Sequence, residues 1–324
     1  MAATDIDLPP AKGLRGFLRA AAQVDRLVDH DPGTTAFMRH RAELRPGPTE
    51  GPSAGWVPLD RMSPYLVCAV IGAEDPLFFQ HHGVWWNQVK IVLLRALIMK
   101  EPMRAVSTIT QQLARNLYLT PTRSLSRKVA EALLTWRLEA ALTKRRILEL
   151  YLNVAEWGDG LWGIGAAAKR HCGCTPDMLD AFQSVVLVSL LPAPTRPLSG
   201  WNARRALAVQ HRLPRFLYSA GLLNIAEERL VQERIAALTQ ALPESASLAD
   251  AMRRAGSGGL RAGGTRAMPS VDTLVAEQCG WTHRLRFEQF LREVGTGRAS
   301  LVARPMWWTE AAPSRSSDGR GISG

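Results

Sequence analysis

Cysteine is scarce in this chain. The four among 324 residues, at 68, 172, 174 and 279, are too few and too scattered for a disulfide scaffold, and no C-x-x-C pair points to a zinc module. His171 precedes Cys172 and Cys174, but no fourth ligand is visible, so no metal site is expected there. Long apolar runs are also missing: nothing reaches the roughly 18 consecutive apolar residues of a membrane span. The longest charge-free stretch, 181–195, ends in Pro192 and Pro194 and reads as a buried helix and its stop. There is no internal repeat and no run of strand-like alternation. Acid is in short supply, with 29 Asp and Glu against 40 Lys and Arg, leaving a net charge of +11 and a pI near 10.1. That balance calls for an anionic partner, whether nucleic acid, acidic lipid or a phosphorylated substrate. With 46% hydrophobic residues the chain can bury a substantial core, which excludes a wholly disordered or fibrous protein.

Punctuation divides the chain. Residues 1–55 read as an N-terminal amphipathic helix and a Pro/Gly-rich linker. Leu14, Phe17, Leu18, Ala21, Val24, Leu27 and Val28 recur at helical spacing with Arg15, Arg19 and Arg26 among them. Such a segment either docks on the domain or lies on a membrane surface. From Trp56 to Asn202 helical patterns follow one another, opened by Ser63-Pro64, Ser107, Thr120-Pro121 and Thr143 as N-caps, which predicts a mainly α domain. Residues 203–250 continue the helical pattern. Residues 251–324 read as an Arg/Gly-rich linker and a partly disordered tail.

Several groups of residues carry chemistry. An apolar helix starting at Ser63 ends in Glu74 and Asp75, followed by Phe78, His81, His82 and Gly83. Apolar neighbours and the negative end of a helix both raise a carboxylate pKa, which suits a general base, although on these residues alone an exposed acidic pair is the stronger reading. For the two histidines, solvent or core hydrogen bonding is favoured over a ligand role. Capped at Ser107, the next helix places Thr108, Gln111, Gln112 and Arg115 in one stripe; neutral amides suit a sugar, and a polar seam between helices is the even alternative. Arg123, Arg127 and Glu131 follow at i+4 steps with Lys128 beside them. This is a net positive seat for a pyrophosphate or a surface ion-pair ladder, on a helix whose buried side is Leu125, Val129, Leu133 and Trp136. The glycines between Gly158 and Gly165 imply close backbone approach, more readily for packing than for a ligand. Residues 87–103 are apolar around most of a helix circumference, fitting a core helix or a membrane-dipping element.

In this order and spacing the motifs resemble the peptidoglycan glycosyltransferases, most closely the monofunctional biosynthetic transglycosylases related to the N-terminal domain of bifunctional penicillin-binding proteins. The resemblance covers Trp56 to Trp201, with 32–39 similar to the family's connector. It rests on Glu74-Asp-x-x-Phe78-x-x-His81-x-Gly83, Ser107-Thr-Ile-Thr-Gln-Gln-Leu-Ala-Arg-Asn116, Arg127-Lys-x-x-Glu131 and Ile147-Leu-Glu-x-Tyr-Leu-Asn153. It implies a lysozyme-like helical catalytic lobe with a smaller hydrophobic lobe that touches the membrane, here 87–103. It also implies inverting polymerisation of lipid II into glycan strands, with undecaprenyl pyrophosphate leaving, at the periplasmic face of the bacterial inner membrane.

Carried onto this chain, the resemblance makes Glu74 the general base, Arg115 and Arg123 the pyrophosphate partners and Glu131 the organiser of that site. Asp75, Phe78, His81, Ser107, Thr108, Gln111, Gln112, Asn116, Arg127, Lys128 and Asn153 become substrate-binding. No cofactor is required, though a divalent Mg or Mn ion near Glu131 would be compatible. Lipid II, the growing strand, the membrane surface and other cell-wall synthesis proteins are the expected partners, and nucleic acid is not.

The chain departs from the family at Ala105-Val106, where Gly-Gly is frequent, at Arg115, where lysine is common, and at Cys172, where an aromatic is usual. Monofunctional relatives normally carry an N-terminal transmembrane helix; the amphipathic segment stands in its place, so either the chain begins late or attachment is peripheral. A lysozyme-like hydrolase and a non-catalytic cell-wall scaffold are the alternative readings.

Overall fold

The computed structural model describes residues 6–44, 55–86, 90, 98, 107–121, 124–196, 206–207 and 209–256. The hydrophobic segment 87–103 (save Lys90 and Ile98), Ala105-Val106, Arg123 and the tail beyond 256 lie outside the described residues. Within them the protein is mainly α, as expected, with two small two-stranded pairings.

The centre of the fold is a helix buried on every side. With Pro64 in its first turn, where a missing N–H costs nothing, α3 (Pro64–Glu74) buries Tyr65 through Ile71 without interruption. Each of its large aliphatic side chains gains about 1.5–3 kcal/mol from that burial. It packs against α8 (Ala181–Val188) and α9 (Leu213–Ser219), and its C-terminal end delivers Glu74 to the domain surface. Beyond it come α4 (Ile109–Tyr118), α5 (Leu125–Ala141) and α6 (Lys144–Val154), packed on one another.

Caps fix where these helices start. Thr143 accepts from the Arg146 N–H, as its position predicts. Two expectations shift. Helix α4 is capped by Thr108 rather than Ser107, because Thr108 and Gln111 form a reciprocal capping box. Helix α5 starts after Ser124, which accepts from the Arg127 N–H, and not at Thr120-Pro121.

The expected buried side of α5 is also corrected. The helix buries Glu131, Leu134, Thr135 and Leu138, while Leu125 is 88% exposed and Val129, Leu133 and Trp136 also face outward. Trp136 meets Trp86, which is also exposed, with ring centroids 6.3 Å apart.

The N-terminal segment folds onto this core. It comprises β1 (Ile6–Asp7), α1 (Gly13–Gln23), a 3-10 turn (Val24–Val28), β2 (Pro32–Thr34) and α2 (Ala36–Leu44), with β1 and β2 paired in parallel. After α6 an antiparallel pair, β3 (Glu156–Gly158) with β4 (Leu161–Trp162), leads into α7 (Ile164–Cys172). The glycines here serve packing, as expected. Gly163 takes φ +83°, and an added Cβ would sit 2.7 Å from the Asn153 carbonyl oxygen. At the far end α10 (Ile225–Ala241) and α11 (Leu248–Arg254) complete the core. Helix α11 runs through the linker boundary expected at 251, because Ala251 and Met252 are buried.

Candidate active site

Glu74 and Asp75 are adjacent, yet the backbone turns them apart at the end of α3. Asp75 is buried: its carboxylate accepts from the Ile109 N–H at 3.1 Å, at the favourable N-terminal end of α4, and lies 2.9 and 3.0 Å from His81 Nε2. The Thr108 hydroxyl donates to the Gly83 carbonyl at 2.6 Å. Gly83 itself takes φ +84°, and an added Cβ would come within 2.6 Å of the Thr135 side chain. Asp75, His81 and Thr108 thus clamp the 75–83 loop to the start of α4, so that Glu74 is held in place by its neighbours.

Glu74 is half-buried, and its Oε2 accepts from Gln112 Nε2 at 2.8 Å. The amide is oriented from behind: the Tyr151 hydroxyl donates to Gln112 Oε1 at 3.1 Å. Burial first, then the charge of Glu74, pushes the Tyr151 phenol well above its ordinary range, and Arg115 opposes the shift. The phenol therefore stays a donor, which turns the Gln112 nitrogen toward the carboxylate. Arg115 sits one turn further along α4, half-buried, with no carboxylate partner among the described residues. Asn116 lies on the Gln112 face by its i+4 spacing.

A second carboxylate anchors the cationic side. Glu131 is fully buried; Arg127 Nη1 reaches it at 2.7 Å, Lys128 Nζ pairs with its other oxygen, and Thr135 bonds its backbone carbonyl. Two cations around one acid leave the cluster net positive. The Lys128 side chain remains 39% exposed, and its Nζ lies 3.5 Å from Ser107 Oγ, whose backbone carbonyl is 3.5 Å from Gln112 Nε2. Tyr151, Gln112 and Glu74 therefore connect through Ser107 to Lys128, Glu131 and Arg127.

The structure thus brings together Glu74, Ser107, Gln112, Arg127, Lys128 and Glu131, with Arg115 and Asn116 on the same helix as Gln112. Other expected site residues sit elsewhere. Phe78 is fully buried in the core, under Lys144 at 4.4 Å. Asp75, His81, Thr108 and Gln111 are spent on the loop clamp and the capping box. Asn153 is buried and holds both the N–H and the carbonyl of Val57 at 2.9 Å. Tyr151 was not singled out from the sequence. Its signal is a hydroxyl on the mostly apolar buried side of α6, which must find a partner.

A divalent ion beside Glu131, compatible with the sequence though not required by it, does not fit the side chains present, since both carboxylate oxygens already face cations. Among the described residues no group of three His, Cys, Asp or Glu could hold a metal. Cys172 and Cys174 form no disulfide, and no described helix is long and apolar enough to cross a membrane.

Comparison with known proteins places this architecture. The transglycosylase family's sequence profile matches residues 43–213. The biosynthetic peptidoglycan transglycosylase of Alcanivorax borkumensis is 42% identical over 172 residues, spanning 53% of this chain and 68% of the relative. That of Rhodospirillum centenum is 44% identical over 199 residues, 60% of this chain and 80% of the relative. That of Bordetella avium is 39% identical over 207 residues, 62% and 82% of the two chains. The chain belongs to this family, the transglycosylases of peptidoglycan synthesis.

Proposed function

We propose that this peptidoglycan glycosyltransferase polymerises lipid II, with Glu74 as general base and the Arg127–Lys128–Glu131 cluster as part of the pyrophosphate site. The 4-hydroxyl of the acceptor's N-acetylglucosamine attacks the anomeric carbon of the donor's N-acetylmuramic acid. Its proton passes to Glu74, the new C–O bond forms with inversion, and the bond to the undecaprenyl pyrophosphate breaks with the electron pair leaving on the phosphate oxygen. Gln112, oriented by Tyr151, fixes the carboxylate. Lys128, Arg127 and Arg115 supply positive charge where the leaving group gathers negative charge, and by the resemblance Arg123 joins them.

The observation that carries this reading is the unbroken line of contacts from Glu74 through Gln112 and Ser107 to Lys128. It supports a base and an excess of cation acting on one substrate, an arrangement that an acid-only hydrolase does not need. The outward face of α5, with Leu125, Val129, Leu133, Trp136 and neighbouring Trp86, offers apolar surface for a lipid-linked substrate at the outer face of the inner membrane.

The test incubates the purified chain with labelled lipid II in detergent and separates products by size. Wild type is expected to yield long strands, and Glu74→Gln to lose about 10²–10⁴-fold in rate while remaining folded. Full turnover by Glu74→Gln would remove the base assignment, and shortening of preformed glycan without synthesis would replace the transferase by a hydrolase.

A further inference from the structure

We propose that the outer face of α1 docks on a bilayer surface carrying anionic lipid. This goes beyond the catalytic reading and does not depend on it. Helix α1 is fixed to the domain by its inner side: Ala20 is buried and Phe17 packs on the core. Its ends are tied down as well. The Ala11 N–H donates to the Tyr118 carbonyl at 2.8 Å, Asp25 pairs with Arg137 on α5, and Arg146 binds the Leu27 and His30 carbonyls at 2.8 and 2.9 Å. The helix therefore cannot roll to hide its other side.

That other side carries Leu14, 74% exposed, and Leu18, 58% exposed, one turn apart. Beside them, at the same i,i+4 spacing, stand exposed Arg15 and Arg19, with Lys12 before the helix and Arg26 after it. Helix α1 contains no acid. None of these four cations has a carboxylate partner among the described residues, and the nearby Asp25 and Asp29 are engaged by Arg137 and His30.

Unpaired cations alone fit any polyanion. Two leucines held outward among them fit a surface that offers negative charge above an apolar layer, with the leucines entering the headgroup boundary and the guanidinium groups staying among the phosphates. A polyanion in water gives the leucines nothing.

The experiment is co-sedimentation of the full chain with vesicles of phosphatidylcholine alone or with one-third phosphatidylglycerol. Wild type is expected to prefer the anionic vesicles. Arg15→Gln with Arg19→Gln should reduce partitioning onto them about 30-fold, taking roughly 1 kcal/mol per cation near such a surface, with little change on neutral vesicles. Leu14→Ser with Leu18→Ser should weaken binding to the anionic vesicles at unchanged net charge. The control pair Lys169→Gln with Arg170→Gln removes the same charge from exposed positions on α7 and should bind as wild type.

Wild-type binding by the Arg15/Arg19 variant, or an equal loss in the control pair, overturns the proposal. So does wild-type binding by the leucine variant, which would leave a simple polyanion site. Polymerisation of lipid II in detergent by the α1 variants is expected to match wild type. Failure of the catalytic reading would appear in wild type itself and leave the vesicle result untouched.

Discussion

Helix α5 carries two buried carboxylates two turns apart, and their surroundings differ in one respect. Glu131 holds two cations, Arg127 and Lys128, at the edge of the site, and one of them reaches solvent. Glu139 holds one, Lys144 at 2.8 Å, together with the Thr110 hydroxyl, and that cation is covered by the Phe78 ring. The first cluster has charge left over for a ligand; the second is neutral and closed. A buried ion pair is costly unless its partners are complete, so the balanced pair serves to fix helices α4, α5 and α6, whereas the unbalanced one keeps the surplus positive charge that the proposed pyrophosphate site requires.

The sharpest way to test that contrast is to remove one cation from each cluster. On the proposed reading Lys128→Met is expected to lower kcat/KM for lipid II by about 10²-fold with little change in Tm, because it would remove charge that stabilises the leaving group. Steady-state polymerisation rates with a thermal melt check both halves. Lys144→Met should do the reverse. It strands Glu139 in a buried site, costing about 3 kcal/mol of stability by denaturant titration, while the rate per folded molecule stays near wild type. Tyr151→Phe should have a smaller effect: about 1 kcal/mol of stability and a several-fold lower rate, since Gln112 loses the donor that aims its nitrogen at Glu74.

The smallest effect is a pH dependence. Burial holds the Lys144 ammonium below its ordinary 10.5, with its Glu139 hydrogen bond opposing the shift. In the window between the depressed folded value and 10.5 the unfolded chain binds more protons, so this group adds stability as pH rises there. Subtracting the Lys144→Met pH–stability curve from that of wild type should show that upward step. A flat difference would mean the lysine titrates normally in the fold.

The same helix shows what could be read from the sequence and what could not. Periodicity located α5 and its apolar and charged stripes, but it cannot say which stripe faces inward. The apolar stripe of Leu125, Val129, Leu133 and Trp136 was the natural interior, yet Glu131 is the buried residue, because Arg127 and Lys128 complete its pairing and Thr135 supports its backbone. The place of Glu74 as the last residue of an apolar helix was legible, and the structure sets Ser107, Gln112 and Lys128 of the other motifs within contact of one another and of it. Asp75 and His81 shared those motifs but serve the loop clamp, since a motif records that residues are needed and not whether they face substrate or scaffold. The cap of α4 was recoverable: Thr108-x-x-Gln111 is a capping-box pattern and Ser107-x-x-Thr110 is not. Tyr151 lies within the Ile147–Asn153 motif, but its pairing with Gln112 depends on the meeting of α4 and α6, which no local pattern encodes.

The most direct test of the contrast between the two clusters is equilibrium binding of lipid II to the Glu74→Gln enzyme, where turnover does not intervene. Adding Lys128→Met is expected to weaken binding at least tenfold, and adding Lys144→Met to leave the affinity of the folded protein unchanged. Equal affinities in both, or a loss confined to Lys144→Met, would contradict the assignment of the Glu131 cluster to the pyrophosphate.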